Sequence, residues 1–138
     1  MRLDVIFRVT TKMVIPFVLI FALYVHFHGD YGPGGGFQAG VIAAGAVILY
    51  AIIFGVEAAQ RIVPQWLVAL LIPLGVLIYA VTGAVSFIYG MNYMDYGALA
   101  HHPKHGHHLG ILLVETGVIT TVASTMTAIF YAFVERGR

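Results

Sequence analysis

Four stretches of this chain are almost free of charge, at about 9–27, 37–56, 66–89 and 109–133. At 1.5 Å per residue, a helix over each one comes close to or exceeds the ~30 Å of a bilayer's hydrocarbon core. Only 9% of the 138 residues are charged and 60% are hydrophobic, where a soluble domain carries about 25% and about 45–50%. The pattern excludes a soluble enzyme, a nucleic-acid-binding module and a disordered chain. It predicts an all-α integral membrane protein with four transmembrane helices, a single domain spanning residues 1–138.

The first stretch follows Arg2, Arg8 and Lys12, as the core of a signal peptide does. It ends in Tyr24-Val25-His26-Phe27-His28, without the small residues a signal peptidase needs, so it is expected to be a retained span. Lys12 sits in its first turn, where a long side chain can snorkel to the interface. Pro16 is expected to kink the helix or end a hydrogen-bonded turn. Pro73 lies inside the third span, which has an aromatic residue at each end.

Orientation follows from the seven lysines and arginines. Arg2, Arg8, Lys12, Arg61, Arg136 and Arg138 flank one set of span ends, and only Lys104 flanks the other. Both termini are therefore expected in the cytoplasm, with the 28–36 and 90–108 loops together on the outer face. Net charge is +1, too balanced for nucleic acid or a polybasic lipid anchor. The chain has no cysteine, which removes thiolate zinc sites, iron–sulfur clusters and redox dithiols. No cofactor is expected.

Small residues mark where helices approach closely, at Gly40/Ala44, Ala51/Gly55 and Thr82/Ser86. Thr116, Thr120, Ser124 and Thr127 fall within about 80° on a helical wheel. Two readings fit that stripe: contact with neighbouring helices, including those of other chains, or hydroxyls bonding back to their own helix.

Gly32-Pro33-Gly34-Gly35-Gly36 opens the second span. Glycine amides at a helix start can cradle phosphate. Here no Gly-Lys-Ser/Thr follows and no strand precedes, so a tight turn against a close neighbour is the better reading. Glu115 is the one acid well inside a span, about two turns below the outer end of the fourth helix. A charged carboxylate at a helix centre costs about 2.5–3.5 kcal/mol on insertion scales. A proton or cation relay and an interhelical hydrogen bond both account for it.

Five of the seven histidines fall at His101, His102, His105, His107 and His108. Clustered imidazoles can bind a divalent ion or titrate near neutral pH. With no cysteine and only Asp95 nearby, hydrated loop histidines are the simpler expectation, and no metal site is assigned. His107 and His108 differ from the others because they precede Glu115 by about two helical turns, and they are candidate proton-transfer partners. His26, His28 and Asp30, at the outer end of the first span, are secondary candidates; passive interface residues are the alternative.

Two segments then resemble one family. Gly32-Pro33-Gly34-Gly35-Gly36-Phe37-Gln38-Ala39-Gly40 resembles the PGGGFQGG-type motif of the B subunit of Mrp/Mnh-type multisubunit sodium/proton antiporters. Gly106-His107-His108-Leu109-Gly110-Ile111-Leu112-Leu113-Val114-Glu115 resembles that family's GHHxGILLxE motif. Order, separation and four spans match over nearly the whole chain. Ala39 stands where glycine is common, and His101, His102 and His105 lie outside the pattern. The resemblance implies a non-enzymatic subunit of a prokaryotic inner-membrane complex that exchanges Na+ and H+. Its partners would be other subunits of an antiporter, or of a related hydrogenase-type respiratory complex, together with membrane lipid. A scaffold without an ion-handling role is the structural alternative.

Overall fold

The computed structural model describes residues 3–29, 31–99 and 103–137. Arg2, Asp30, His101, His102 and Arg138 lie outside them. The regular elements are helices: α1 (Leu3–His28), α2 (Gly36–Phe54), α3 (Val56–Ile62), α4 (Gln65–Ile88), a 3₁₀ turn (Tyr96–Leu99) and α5 (Pro103–Arg136). Four of them contain segments long and apolar enough to cross a membrane: Asp4–His28, Gly36–Phe54, Gln65–Ile88 and Lys104–Arg136. The expected all-α architecture with four candidate spans is therefore the observed one.

Three local features add to or correct the expectations. First, α1 continues as a helix past Pro16 to His28. A membrane helix tolerates the lost hydrogen bond because neighbouring backbone groups readjust. Second, α2 stops at Phe54, where Gly55 turns to φ +97° and its N–H caps Ala51 O at 2.9 Å. The connection that follows holds the short helix α3. Third, α5 starts at Pro103, so His105, His107 and His108 stand on its first turns and not in a loop. Proline suits a first helical position, where its missing N–H is no loss.

The central helix is α5, which packs along α4 on one side and α2 on the other, while α1 packs on α2. Backbone approaches backbone at both α5 seams. A Cβ added to Gly75 would stand 2.6 Å from Gly117 O, and one on Gly117 would stand 2.7 Å from Gly75 O. On the α2 side, Gly40 faces Ile119 O at 3.1 Å by the same measure, and Gly36 presses on the Glu115 carbonyl. Without a hydrophobic drive between helices in lipid, such close contact is what holds a bundle together. The outward faces are apolar and bare: Phe17 is 72% and Ile88 81% exposed. Lipid or neighbouring subunits must cover them.

The hydroxyl stripe of α5 bonds back to its own helix. Thr116 donates to Leu112 O at 2.7 Å, Thr120 to Thr116 O at 2.8 Å and Thr127 to Ala123 O at 2.8 Å. Ser124 and Thr127 are buried within this chain, so no second chain is needed to cover them.

The basic segments gather at one end of the bundle. Arg8 and Lys12 lie over the Phe54 ring, 5.9 and 5.5 Å from its centroid. Gln60 donates to Glu135 at 3.4 Å, as does Gln65. Tyr131, only 2% exposed, donates its hydroxyl to Val63 O at 3.0 Å and ties the α3–α4 connection to α5. Tyr131→Phe is expected to cost about 1 kcal/mol. It should lower the midpoint of thermal unfolding in detergent, and an unchanged midpoint would show that the hydroxyl contributes nothing.

Candidate functional site

The two motifs meet at Glu115. Its carboxylate lies between the end of α1 and the start of α2, packed against glycine. A Cβ on Gly29 would stand 2.5 Å from Oε1 and 2.9 Å from Oε2, and one on Gly35 would stand 3.1 Å from Oε1. The close neighbour that the glycine run requires is therefore Glu115 itself. Gly35 adopts φ +120°, which side-chain-bearing residues rarely reach, and its N–H donates to Val25 O at 3.0 Å. That bond folds the loop back onto α1. Gly34 is pressed onto the same carbonyl, with a Cβ position 2.7 Å from Val25 O.

As the N-cap of α2, Gly35 offers no side chain to the helix start. The first-turn amides of a helix carry partial positive charge and attract anions. The Glu115 carboxylate lies against this end, where a capping acid would otherwise stand. The helix terminus favours its charge.

The candidate histidines divide into three places. His108 lies on the Glu115 face of α5, about 10 Å higher by helix rise. Its ring centroid is 6.3 Å from that of Tyr31, which stands in the glycine loop connection. His107 is turned toward the 3₁₀ turn, 6.5 Å from the Tyr96 ring and close to Gly97. Tyr96 packs on Gly110, and burial pushes its phenol above the ordinary value, aided by the phenols of Tyr79 and Tyr93. His107 thus faces a neutral partner. Asp95 Oδ1 accepts the Gly97 N–H at 3.3 Å and its carbonyl accepts the Ser86 hydroxyl at 2.8 Å, which fixes this turn on α4.

His28 stacks on Tyr24 at 5.2 Å, with Nε2 3.0 Å from a Cβ position on Gly32. His26 departs from the expected interface position, since it is 5% exposed and points into the bundle. Its Nε2 lies 3.4 Å from Thr116 Oγ1, and its Nδ1 is buried without a hydrogen-bond partner. Thr11 and Ala22 are buried on the same face of α1, so a stripe of small and polar residues is the signal in the sequence for its inward side. Glu115, His26 and the glycine loop are thus brought together, with His28 and His108 at the rim and His107 apart. Gly29 and Thr116 belong to the site although neither is singled out for it in the sequence. Each is legible only by adjacency, to the glycine loop and to Glu115. Among the described residues, no group of three or more histidines and acids converges to hold a metal ion.

A family model described as "Domain related to MnhB subunit of Na+/H+ antiporter" matches residues 6–128, a range that contains the whole site. The chain is 35% identical over 132 residues to "Putative antiporter subunit mnhB2" of Staphylococcus haemolyticus (strain JCSC1435), covering 94% of this chain and 93% of that protein. The protein of the same description from Staphylococcus aureus (strain MRSA252) is 34% identical over 134 residues, 90% of this chain and 94% of its own. That of Staphylococcus epidermidis (strain ATCC 35984) is 36% identical over 129 residues, 86% of this chain and 91% of its own.

Proposed function

The chain belongs to the family of domains related to the MnhB subunit of Na+/H+ antiporters, and from that premise we propose that Glu115 is a cation-exchanging group of the assembled transporter. The chain is a small, multi-pass membrane subunit of a multisubunit antiporter, working with other subunits and not as an enzyme. In the proposed orientation both termini face the cytoplasm across a bacterial inner membrane, with lipid on the bare apolar faces. The glycine loop and Glu115 then lie near the outer mouth.

One observation carries the reading. An ionisable carboxylate inside a candidate span is seated against the start of α2 by glycines, at which an added Cβ would meet its oxygens. A carboxylate at such depth is costly unless it is neutralised. A proton and Na+ are alternative neutralising cations, and a carboxylate neutralised by either one in turn, the proton on itself or on a neighbouring base, is what exchange requires. His108, two turns above, lies on the same face to pass protons to it.

In the intact complex, Glu115→Gln is expected to assemble and to lower Na+-driven proton movement in inverted vesicles roughly a hundredfold, the low end for a positioned proton-transfer group. Wild-type rate, apparent Na+ affinity and pH profile in that variant would reject the exchange role. The close glycine contacts at Gly36 and Gly40 support a second reading, a scaffold that fills space between larger subunits. It predicts that Gly35→Leu abolishes assembly on a native gel while Glu115→Gln remains fully active.

A further inference from the structure

His26 is a buried ionisable group that the role of Glu115 does not use. The Thr116 hydroxyl gives its single hydrogen to Leu112 O at 2.7 Å, so toward His26 it can only accept. The 3.4 Å contact then assigns the imidazole hydrogen to Nε2. In that neutral ring Nδ1 is a bare lone pair, buried and without a donor among the described residues. Buried polar atoms are almost always paired, and an orphan acceptor at an ion-handling site is built to receive something.

Glu115 lies nearby, outside hydrogen-bond reach of Nδ1. Thr116 is the next residue in the chain, and Gly29, whose Cα borders the carboxylate, is three residues after His26 on the same side of α1. Imidazole and carboxylate are therefore within about one helical turn of each other. Among the described residues, the titratable groups at this end of the bundle also include His28, stacked on Tyr24, and His108 beside Tyr31 above Glu115. The first turn of α2 holds neither acid nor base.

We propose that His26 is the proton-binding partner of Glu115, charged at Nδ1 while the carboxylate carries no Na+ and discharged when Na+ neutralises that carboxylate. The inference rests on the exchange role of Glu115. In the first state an N–H bond forms at Nδ1, and imidazolium and carboxylate sum to zero charge. In the second that bond breaks, its proton leaves to water at the loop mouth, and Na+ with carboxylate again sums to zero. One cation replaces the other with no net charge left in an apolar interior, where an uncompensated ion is least tolerated. Throughout, Nε2–H keeps its bond to Thr116.

The test uses the purified intact complex, with a pH-indicator dye recording protons released on a Na+ jump, and inverted vesicles for the pH profile. His26→Gln is expected to release one proton per complex fewer than wild type and to change the pH profile. Thr116→Val keeps the imidazole but removes the acceptor that favours its charged form. A hydrogen bond to the charged ring is the stronger one, so its loss should shift the pH midpoint of exchange measurably. Wild-type release and profile in an assembled His26→Gln complex would overturn the inference and leave the Glu115 role standing. If Glu115→Gln behaves as wild type, that role falls and the pairing falls with it. If His26→Gln does not assemble, Thr116→Val decides, and an unmoved midpoint overturns the proposal.

Discussion

Gly36→Leu is expected to leave no assembled antiporter in the membrane, whereas Gly45→Ala should assemble as wild type does. Both glycines are on α2, so helix propensity affects them alike. Around Gly45 nothing lies within 4 Å of an added Cβ. Around Gly36 the added atom runs into the Glu115 carbonyl and stands 3.1 Å from the Ile119 amide. Those are backbone atoms of the central helix, which cannot swing aside as a side chain can. Gly40, one turn further along, makes the same kind of contact with Ile119 O and the Val122 side chain, so α2 cannot pivot about its first turn to relieve the clash. Overpacking a well-packed interior costs about 1–3 kcal/mol, and more where helices must separate. Native gels of membranes from both variants read the outcome directly. Assembly of Gly36→Leu at the wild-type level would mean that the α2–α5 seam is looser than its geometry requires.

The same seam shows which parts of this molecule are legible in the sequence. The spans are, because runs of uncharged residues have only one solvent that suits them. Glu115 is, because an acid in such a run has to be accounted for. The glycine loop announces a close neighbour but not its identity, since a stretch of glycine records only that space is short. That the neighbour is Glu115, some 80 residues away, depends on α5 packing beside α2; the small-residue pair of α2 and the hydroxyl stripe of α5 mark faces that pack closely, but not which helix each packs on. His26 reads as an interface residue because it ends the span, and only the small and polar residues Thr11 and Ala22 on its face of α1 mark that side as inward. The start of α5 is hidden for another reason. Histidine and glycine from His101 to His108 look like a loop by polarity, and Pro103, which suits a helix start, carries the opposite signal.

Gly29→Ala is expected to assemble and yet to lose most of its exchange activity, and it separates the seat of Glu115 from the rest of the fold. Gly29 lies in the turn after α1 and has no left-handed backbone that alanine would strain. What alanine takes away is space. Its Cβ would stand 2.5 and 2.9 Å from the two carboxylate oxygens and 2.9 Å from the Gly35 Cα. The carboxylate moves most easily, so it is displaced from the start of α2, while the Gly35 backbone of the loop must also give by a few tenths of an ångström. If that position is what makes Glu115 useful, the loss from Gly29→Ala should approach the loss from Glu115→Gln. The double variant should then be no worse than the poorer single one. Two residues acting through one contact are non-additive, whereas independent defects multiply. Antiport rates of the four complexes, each normalised to assembled protein on a native gel, complete the cycle. A wild-type rate in Gly29→Ala would show that Glu115 works without its glycine seat. Losses that multiply in the double variant would show that Gly29 acts on the assembly by some other route.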